Sequence, residues 1–307
     1  DGNTHFYGEL RLNWDKTWGK HSLSMMTVGI GEEKSLTNGL GGSIYYTLPE
    51  RNLGNSGRFA YDFDKRYFLE YAYGYNGSEK FYGKNRFGFF PSYGVGWLVT
   101  NEPFWNDNLK NAISLLKFKF TYGLVGNDAI ASREGRFFYL SQIASGGGTY
   151  QWGRIFSQGY NGFRFNRYAN PDITWEVAEK YNLGIELGLF KNQDLTIQAD
   201  IFKDIRGNIY MRRENFPETT GFQTAIHGNV GKVESKGIDG SLDYKKSFGK
   251  DAWLVARANF TYATNKYLEK DEKNYRDEYL KSIGYPINQT WGLVAERLFV
   301  DQQEIDN

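Results

Sequence analysis

The sequence predicts an all-β fold, an antiparallel up-and-down transmembrane β-barrel, and three observations carry that prediction. Aromatic residues make up 18% of the 307 residues and glycine occurs 36 times against 6 prolines, the composition of glycine-punctuated strands rich in rings. Apolar residues recur at period 2 along the chain and almost nowhere at 3.6. The connections between these segments alternate between shorter and longer, as the periplasmic turns and extracellular loops of an outer-membrane barrel do.

In chain order, the first strands are expected over residues 4–14 and 21–31, with Asp15 to Lys20 between them. Strands over 56–63 and 66–75 flank Asp64 and Lys65; in the second, Tyr67, Leu69, Tyr71, Tyr73 and Tyr75 alternate with Phe68, Glu70, Ala72 and Gly74. Strands over 92–101 and 115–123 follow, the latter alternating Leu116, Phe118 and Phe120 with Lys117, Lys119 and Thr121. Residues 174–190 and 194–206 turn at Lys191 to Gln193, with Leu183, Ile185, Leu187, Ile197 and Ile201 on one face. Strands over 230–246, 251–266 and 288–300 bring the total to about eleven. Several reach the ~9–11 residues that a tilted strand needs to cross hydrocarbon. The longer connections, roughly 32–55, 76–91, 124–171, 207–229 and 267–287, are then expected outside the cell. Residues 102–114 fit the alternation least well, being hardly shorter than the connection before them.

Composition removes whole classes of function. With 37 basic and 36 acidic side chains, nothing electrostatic calls for nucleic acid. Zero cysteine removes disulfide frameworks, thiolate nucleophiles and cysteine-ligated metals. No apolar run approaches the ~18 residues of a membrane helix, while a mean hydropathy of −0.61 suits a barrel whose strands average lipid-facing with lumen-facing residues. Residues 1–14 carry neither a basic start nor an apolar centre, so no secretory leader is read there. His5, His21 and His227 stand far apart, without zinc spacing. No GxSxG elbow, Walker A loop or strand-borne GxGxxG occurs, so no catalytic residue, metal or cofactor is assigned and an enzyme is not expected. Gly146 to Gly148 read as a flexible loop tip, and the acidic run from Asp301 to Asp306 as a solvated loop start. Lys117, Lys119, Glu186, Asp200, Asp239, Asp243 and Arg257 suit a wet lumen.

What remains is recognition through loops. Between Ser132 and Pro171 the chain places Tyr139, Tyr150, Trp152, Tyr160, Phe163, Arg164 and Tyr168 among Gly, Ser, Asn and Gln. Rings with polar tips stack on sugar faces or anchor peptides, and arginine and amides bond hydroxyls or carbonyls. Packing the loop into a compact lid would use the same rings. Trp14, Trp18, Trp97, Trp105, Trp175 and Trp291 fall near strand ends, where a ring suits the headgroup level.

Long ordered blocks resemble a known family. GRFAYDFDKRYFLEYAYGYNGSEKF from Gly57, RFGFFPSYGVGWLVTNEPFW from Arg86 and LKFKFTYGLVGND from Leu116 are similar to the barrel of SusC/RagA-type TonB-dependent outer-membrane transporters. NPDITWEVAEKYNLGIEL from Asn170, ADIFKDIRGNIYMRR ending at Arg213, GNVGKVESKGIDGSLDY from Gly228, NFTYATNK from Asn259 and GYPINQTWGL from Gly284 extend the likeness over nearly the whole chain. The resemblance implies a barrel of about 22 strands, of which residues 1–307 would be a partial β-barrel domain, with the plug domain and the last strands lying outside it. It implies a Gram-negative outer membrane, active import of glycans or peptides, a SusD-like surface lipoprotein as partner, and TonB as energy source acting through N-terminal parts. It also makes the region between Glu32 and Gly57 look short. Two other architectures are compatible with the pattern: a secreted aromatic-rich β-sandwich that binds carbohydrate, and a complete smaller porin whose first and last strands pair.

Overall fold

A computed structural model of the chain describes residues 2–36, 47–130, 136–156, 158–249 and 251–306. Ten antiparallel strands form one sheet: β1 (Asn3–Trp18), β2 (His21–Leu36), β3 (Glu50–Phe63), β4 (Tyr67–Ser78), β5 (Phe87–Leu98), β6 (Ile113–Asn127), β9 (Glu176–Leu189), β10 (Leu195–Arg212), β11 (His227–Phe248) and β12 (Ala252–Glu269). Two more, β7 (Gln142–Trp152) and β8 (Gln158–Arg167), pair only with each other. Sheet order follows chain order, and β1 and β12 are the two edges. Among the described residues the edges do not pair and no second sheet packs across the first, so neither the sandwich nor the small closed porin describes them.

Local chemistry explains the tight turns. Asp64 and Lys65 both have positive φ, 53° and 52°, and the Arg66 amide donates to the Phe63 carbonyl at 3.0 Å, the two-residue I′ geometry that matches strand twist. Gly19 (φ 58°) supplies the same freedom between β1 and β2. The β5 to β6 connection carries a short helix, α1 (Asp107–Ala112), capped by the Asn106 side chain accepting from the Leu109 amide.

The register assigns the faces. Lys117, Glu186, Gln198 and Ser241 form one cross-strand row, and Lys119, Gly184, Asp200 and Asp239 the next. The part of this face on β2 to β6, with Arg58, Glu70, Lys117 and Lys119, lines a hollow of about 810 Å³, and the face is stitched by ion pairs: Arg58 to Glu70 at 2.7 Å, Lys119 to Asp200 at 3.1 Å and Arg257 to Asp243 at 2.8 Å. The opposite face is apolar. Its outward residues on β1 are Phe6, Leu10, Leu12 and Trp14; on β12 they are Leu254, Ala256, Phe260 and Tyr262.

One row on that face runs Trp14, Met25, Phe59, Tyr71, Tyr93, Tyr122, Tyr181, Lys203, Lys236. It begins apolar and ends in lysine because the apolar band crosses the rows obliquely. The band slips about five rows between β1 and β12, ~33 Å along the strands over nine spacings of ~4.8 Å, a tilt of about 37°. Strands of outer-membrane barrels tilt by about 35–45°.

The structure corrects the sequence reading in several places. The strand expected over 288–300 does not form: Leu293, Val294 and Leu298 are fully or almost fully exposed. Alternation alone does not make a strand: residues 288–300 find no ladder partner among the described residues, and the open edge of β12 is met only near Tyr267, by Gly284 and Tyr285 through bonds of 2.8 and 3.0 Å. The long connection 124–171 contains a hairpin, β7 and β8, that periodicity missed because glycines and bulges break its alternation. The glycine triplet is part of β7, not a flexible tip: a Cβ on Gly147 would lie 2.2 Å from the Phe163 carbonyl oxygen. The acidic end forms a helical turn, α2 (Gln302–Asp306). Of the short-looking region, residues 37–46 lie outside the described residues, and from Glu50 onward it is β3.

Candidate functional site

The shorter connections gather at one end of the sheet, the longer ones at the other, and the only strongly buried apolar cluster among the described residues sits at the long-connection end. Phe81, Phe138, Ile173 and Trp175 come from three different connections and are at most 8% exposed. Trp175 packs on Phe81 and Phe90 at 5.3 Å each and donates its indole N–H to the Asn85 carbonyl at 3.1 Å. It is therefore a core residue, not the interfacial ring its position suggested, whereas Trp14, Trp18 and Trp97 remain 38–47% exposed on the outward face. Burying rings of this size contributes about 1.5–3 kcal/mol each, enough to hold the connections as one layer.

Polar side chains lace the same layer. Arg136, 1% exposed, donates to Glu79 at 2.8 Å and to the Pro49 carbonyl at 3.1 Å. Burial pushes the Glu79 carboxyl above its ordinary value, opposed by the Arg136 guanidinium. Asn229 donates to the Thr174 and Asn208 carbonyls at 3.0 and 2.7 Å and accepts from the Thr174 amide at 2.9 Å. Ser78 donates to Asp128 at 2.7 Å, and Lys80 to the Asp128 carbonyl at 2.7 Å. Sequence reading missed Arg136 and Asn229, since neither belongs to a motif and only the folded loops bring their partners together.

The seven recognition candidates divide into two groups. Tyr139 and Tyr168 are built into the layer. Tyr139 packs on Tyr82 at 5.2 Å and Phe137 at 6.0 Å, and burial raises its phenol above the ordinary value, with Arg86 opposing. Tyr168 stacks on Phe165 at 4.8 Å, and its hydroxyl accepts from the Gln223 amide at 3.2 Å. The other five stand on the β7–β8 hairpin. Tyr150 pairs with Tyr160, and Trp152 lies two residues along on the same face, as does Arg164 relative to Tyr160 at twice that spacing. Tyr150, Trp152 and Tyr160 are 57–64% exposed, and the Tyr150 ring covers Gly162, where any Cβ would approach it to 2.7 Å. Phe163 projects from the opposite face and is also exposed. The result is a flat aromatic face edged by a guanidinium on the long-connection side.

The histidines stay apart: His5 meets Glu32 at 2.8 Å, His21 meets Tyr61 at 2.7 Å and His227 stacks on Tyr210 at 5.3 Å.

Comparison with known proteins decides the family. The family model described as TonB dependent receptor-like, beta-barrel matches residues 1–297. The chain belongs to that family. TonB-dependent receptor P3 of Formosa agariphila is 25% identical over 87% of this chain and 27% of its own length. TonB-dependent receptor SusC of Bacteroides thetaiotaomicron is 26% identical over 81% of this chain and 25% of its own length. The chain thus spans about a quarter of the curated relatives it matches. Among solved structures, the RagAB peptide importer in its open-open state superposes with a TM-score of 0.68 at 23% identity, over 92% of this chain and 32% of that one. The sheet is accordingly wall of a TonB-dependent receptor barrel of the Gram-negative outer membrane, and the family transports or receives, and does not catalyse. Its long connections face the outside and its shorter ones the periplasm.

Proposed function

We propose that residues 1–307 are a barrel segment of an active importer for glycans or peptides, energised by TonB, whose extracellular loops meet both the cargo and a SusD-like lipoprotein lid. The observation that carries this reading is the exposed face of Tyr150, Trp152 and Tyr160 with Arg164, held out from the packed loop layer on the long-connection side. Its rings suit the apolar faces of sugars and the side chains of peptides equally. One structural neighbour is a peptide importer, which supports cargo of the peptide kind. Tyr139 and Tyr168 position the hairpin, and Tyr150, Trp152, Tyr160, Phe163 and Arg164 make contact. Replacing Trp152 by alanine in the intact transporter should weaken cargo uptake or lid binding by about tenfold, the worth of one ring contact, with normal membrane assembly. If uptake and lid binding both match the wild type, Trp152 is not a contact residue.

A further inference from the structure

The hairpin that carries the recognition rings has an uncompensated charge and an open edge. Residues 135–171 hold four arginines and no aspartate or glutamate, although the whole chain is balanced at 37 basic against 36 acidic residues. Two of the four arginines belong to the loop layer. Arg136 meets Glu79 at 2.8 Å, and Arg167 donates to the Leu140 and Phe137 carbonyls at 3.3 and 3.1 Å. The other two, Arg154 and Arg164, are exposed, and their side chains make no ion pair or hydrogen bond among the described residues. Arg164 shares the face of Tyr160, and Arg154 stands at the tip, two residues past Trp152. The first acid after the hairpin, Asp172, sits on the loop layer, where its carbonyl accepts from Asn85 at 3.4 Å.

Hydrogen bonds join β7 to β8, and among the described residues no other backbone meets β7. The β8 strand carries Arg164 and Arg167, and the Gln223 side chain accepts from its Phe165 amide at 2.9 Å. By contrast β7, from Gln142 to Trp152, has neither a charged residue nor a proline. Exposed edges are ordinarily protected by charge, proline, a bulge or a covering segment; beyond the glycine bulge of β7, residues 149–152 are exposed and open. Such an edge accepts another strand through main-chain hydrogen bonds, with alternate side chains of the incoming strand on one face. A peptide supplies that strand and a glycan does not, so the edge separates two kinds of cargo that the rings alone treat equally. We propose that β7 takes an extended peptide with acidic side chains, its main chain along the open edge and its carboxylates on Arg154 and Arg164. A peptide side chain beside Tyr150 or Trp152 falls on the ring face, with Arg154 next at the tip, and Arg164 reaches that face across Ala144, the small residue opposite it. The proposal rests on the hairpin being a cargo contact and adds the sign of the cargo's charge and the way it is held.

The test uses the intact transporter in detergent and the fluorescence anisotropy of three labelled decapeptides: one with glutamate at alternate positions, its glutamine isostere, and the glutamate peptide N-methylated throughout. Wild type should bind the glutamate peptide about tenfold more tightly than the glutamine one at low salt, from two exposed charge contacts. The difference should shrink as salt screens it. In Arg154→Gln/Arg164→Gln the glutamate peptide should fall to the affinity of the glutamine one, and N-methylation should abolish binding to wild type. Trp152→Ala should weaken both unmethylated peptides, which reports on the hairpin as a contact independently of charge. Equal binding of the glutamate and glutamine peptides by wild type, a preference that survives in the double variant, or undiminished binding of the methylated peptide would each overturn the proposal. The hairpin would still be a contact if Trp152→Ala weakened binding in those cases. Binding of oligogalacturonate that is lost in the double variant, with none of the peptides bound, would assign the face to an acidic glycan and also overturn it.

Discussion

Glu102 shows how one side chain can tie a periplasmic turn. Its carboxylate, 6% exposed, accepts from the Tyr67 hydroxyl, from the Trp97 indole at 2.9 Å and from Arg66 at 3.0 Å. These contacts, the Tyr67 bond first, hold its pKa below the ordinary carboxylate range. A depressed folded-state value means the stabilisation is complete above the unfolded carboxyl's pKa and is lost as pH falls through the folded one. Thermal unfolding of the detergent-solubilised protein should therefore ease as pH drops below about 4, and Glu102→Gln should flatten that limb. An unchanged acid limb in the variant would show that other carboxylates set it. On the outward face, Ile185→Arg or Ile197→Arg should block membrane assembly, since a mid-bilayer arginine costs about 2–4 kcal/mol. Glu186→Gln on the lumen face, whose Lys119 neighbour keeps Asp200 at 3.1 Å, should assemble normally. Wild-type levels of heat-modifiable barrel for both arginine variants would refute lipid exposure. These faces were legible in the sequence because a strand's period of 2 is a local property.

At the scale of the element, the hairpin decides where the recognition rings stand. Gly147 lies against the Phe163 backbone, with the register shifted between Ser145 and Thr149. A bulge of this kind re-aims the side chains beyond it. Gly147→Ala would force its Cβ into the Phe163 carbonyl, so it should disturb the face of Tyr150, Trp152 and Tyr160 while leaving the ten-stranded sheet intact. Limited proteolysis should then cut between Gln142 and Arg167 sooner than in wild type, with assembly unchanged; equal protection would mean the bulge is not needed. The aromatic content of this loop could be read from composition, but its strands could not. Bulges and glycines erase the alternation, and the long-range pairs that fix Tyr168 to Gln223 leave no local trace.

At the scale of the molecule, β1 and β12 are open edges of a sheet tilted for a closed barrel. Unpaired backbone groups cannot be satisfied in lipid. The 307-residue chain alone should therefore give no cargo uptake when added to liposomes, whereas the intact transporter reconstituted the same way should; uptake by the chain alone would refute this. Peptides of this chain should be found by mass spectrometry of outer-membrane fractions in a polypeptide several times heavier than 35.4 kDa, in keeping with relatives more than three times its length. A soluble species near that mass would contradict the membrane assignment.

Sequence by itself determined the fold class, the two faces of the sheet, ten of its strands and the family, because period, composition and long ordered blocks are written along the chain. Only the tertiary structure decided which rings are structural and which are free. Trp175 and Trp152 are both tryptophans on the long-connection side, the first read from sequence as an interfacial ring near a strand end and the second as a recognition residue in a loop. One is 8% exposed and the other 64%, since burial depends on what distant connections bring to a position. The same holds for Lys203 and Lys236, separated by the long connection between β10 and β11 and joined only by register.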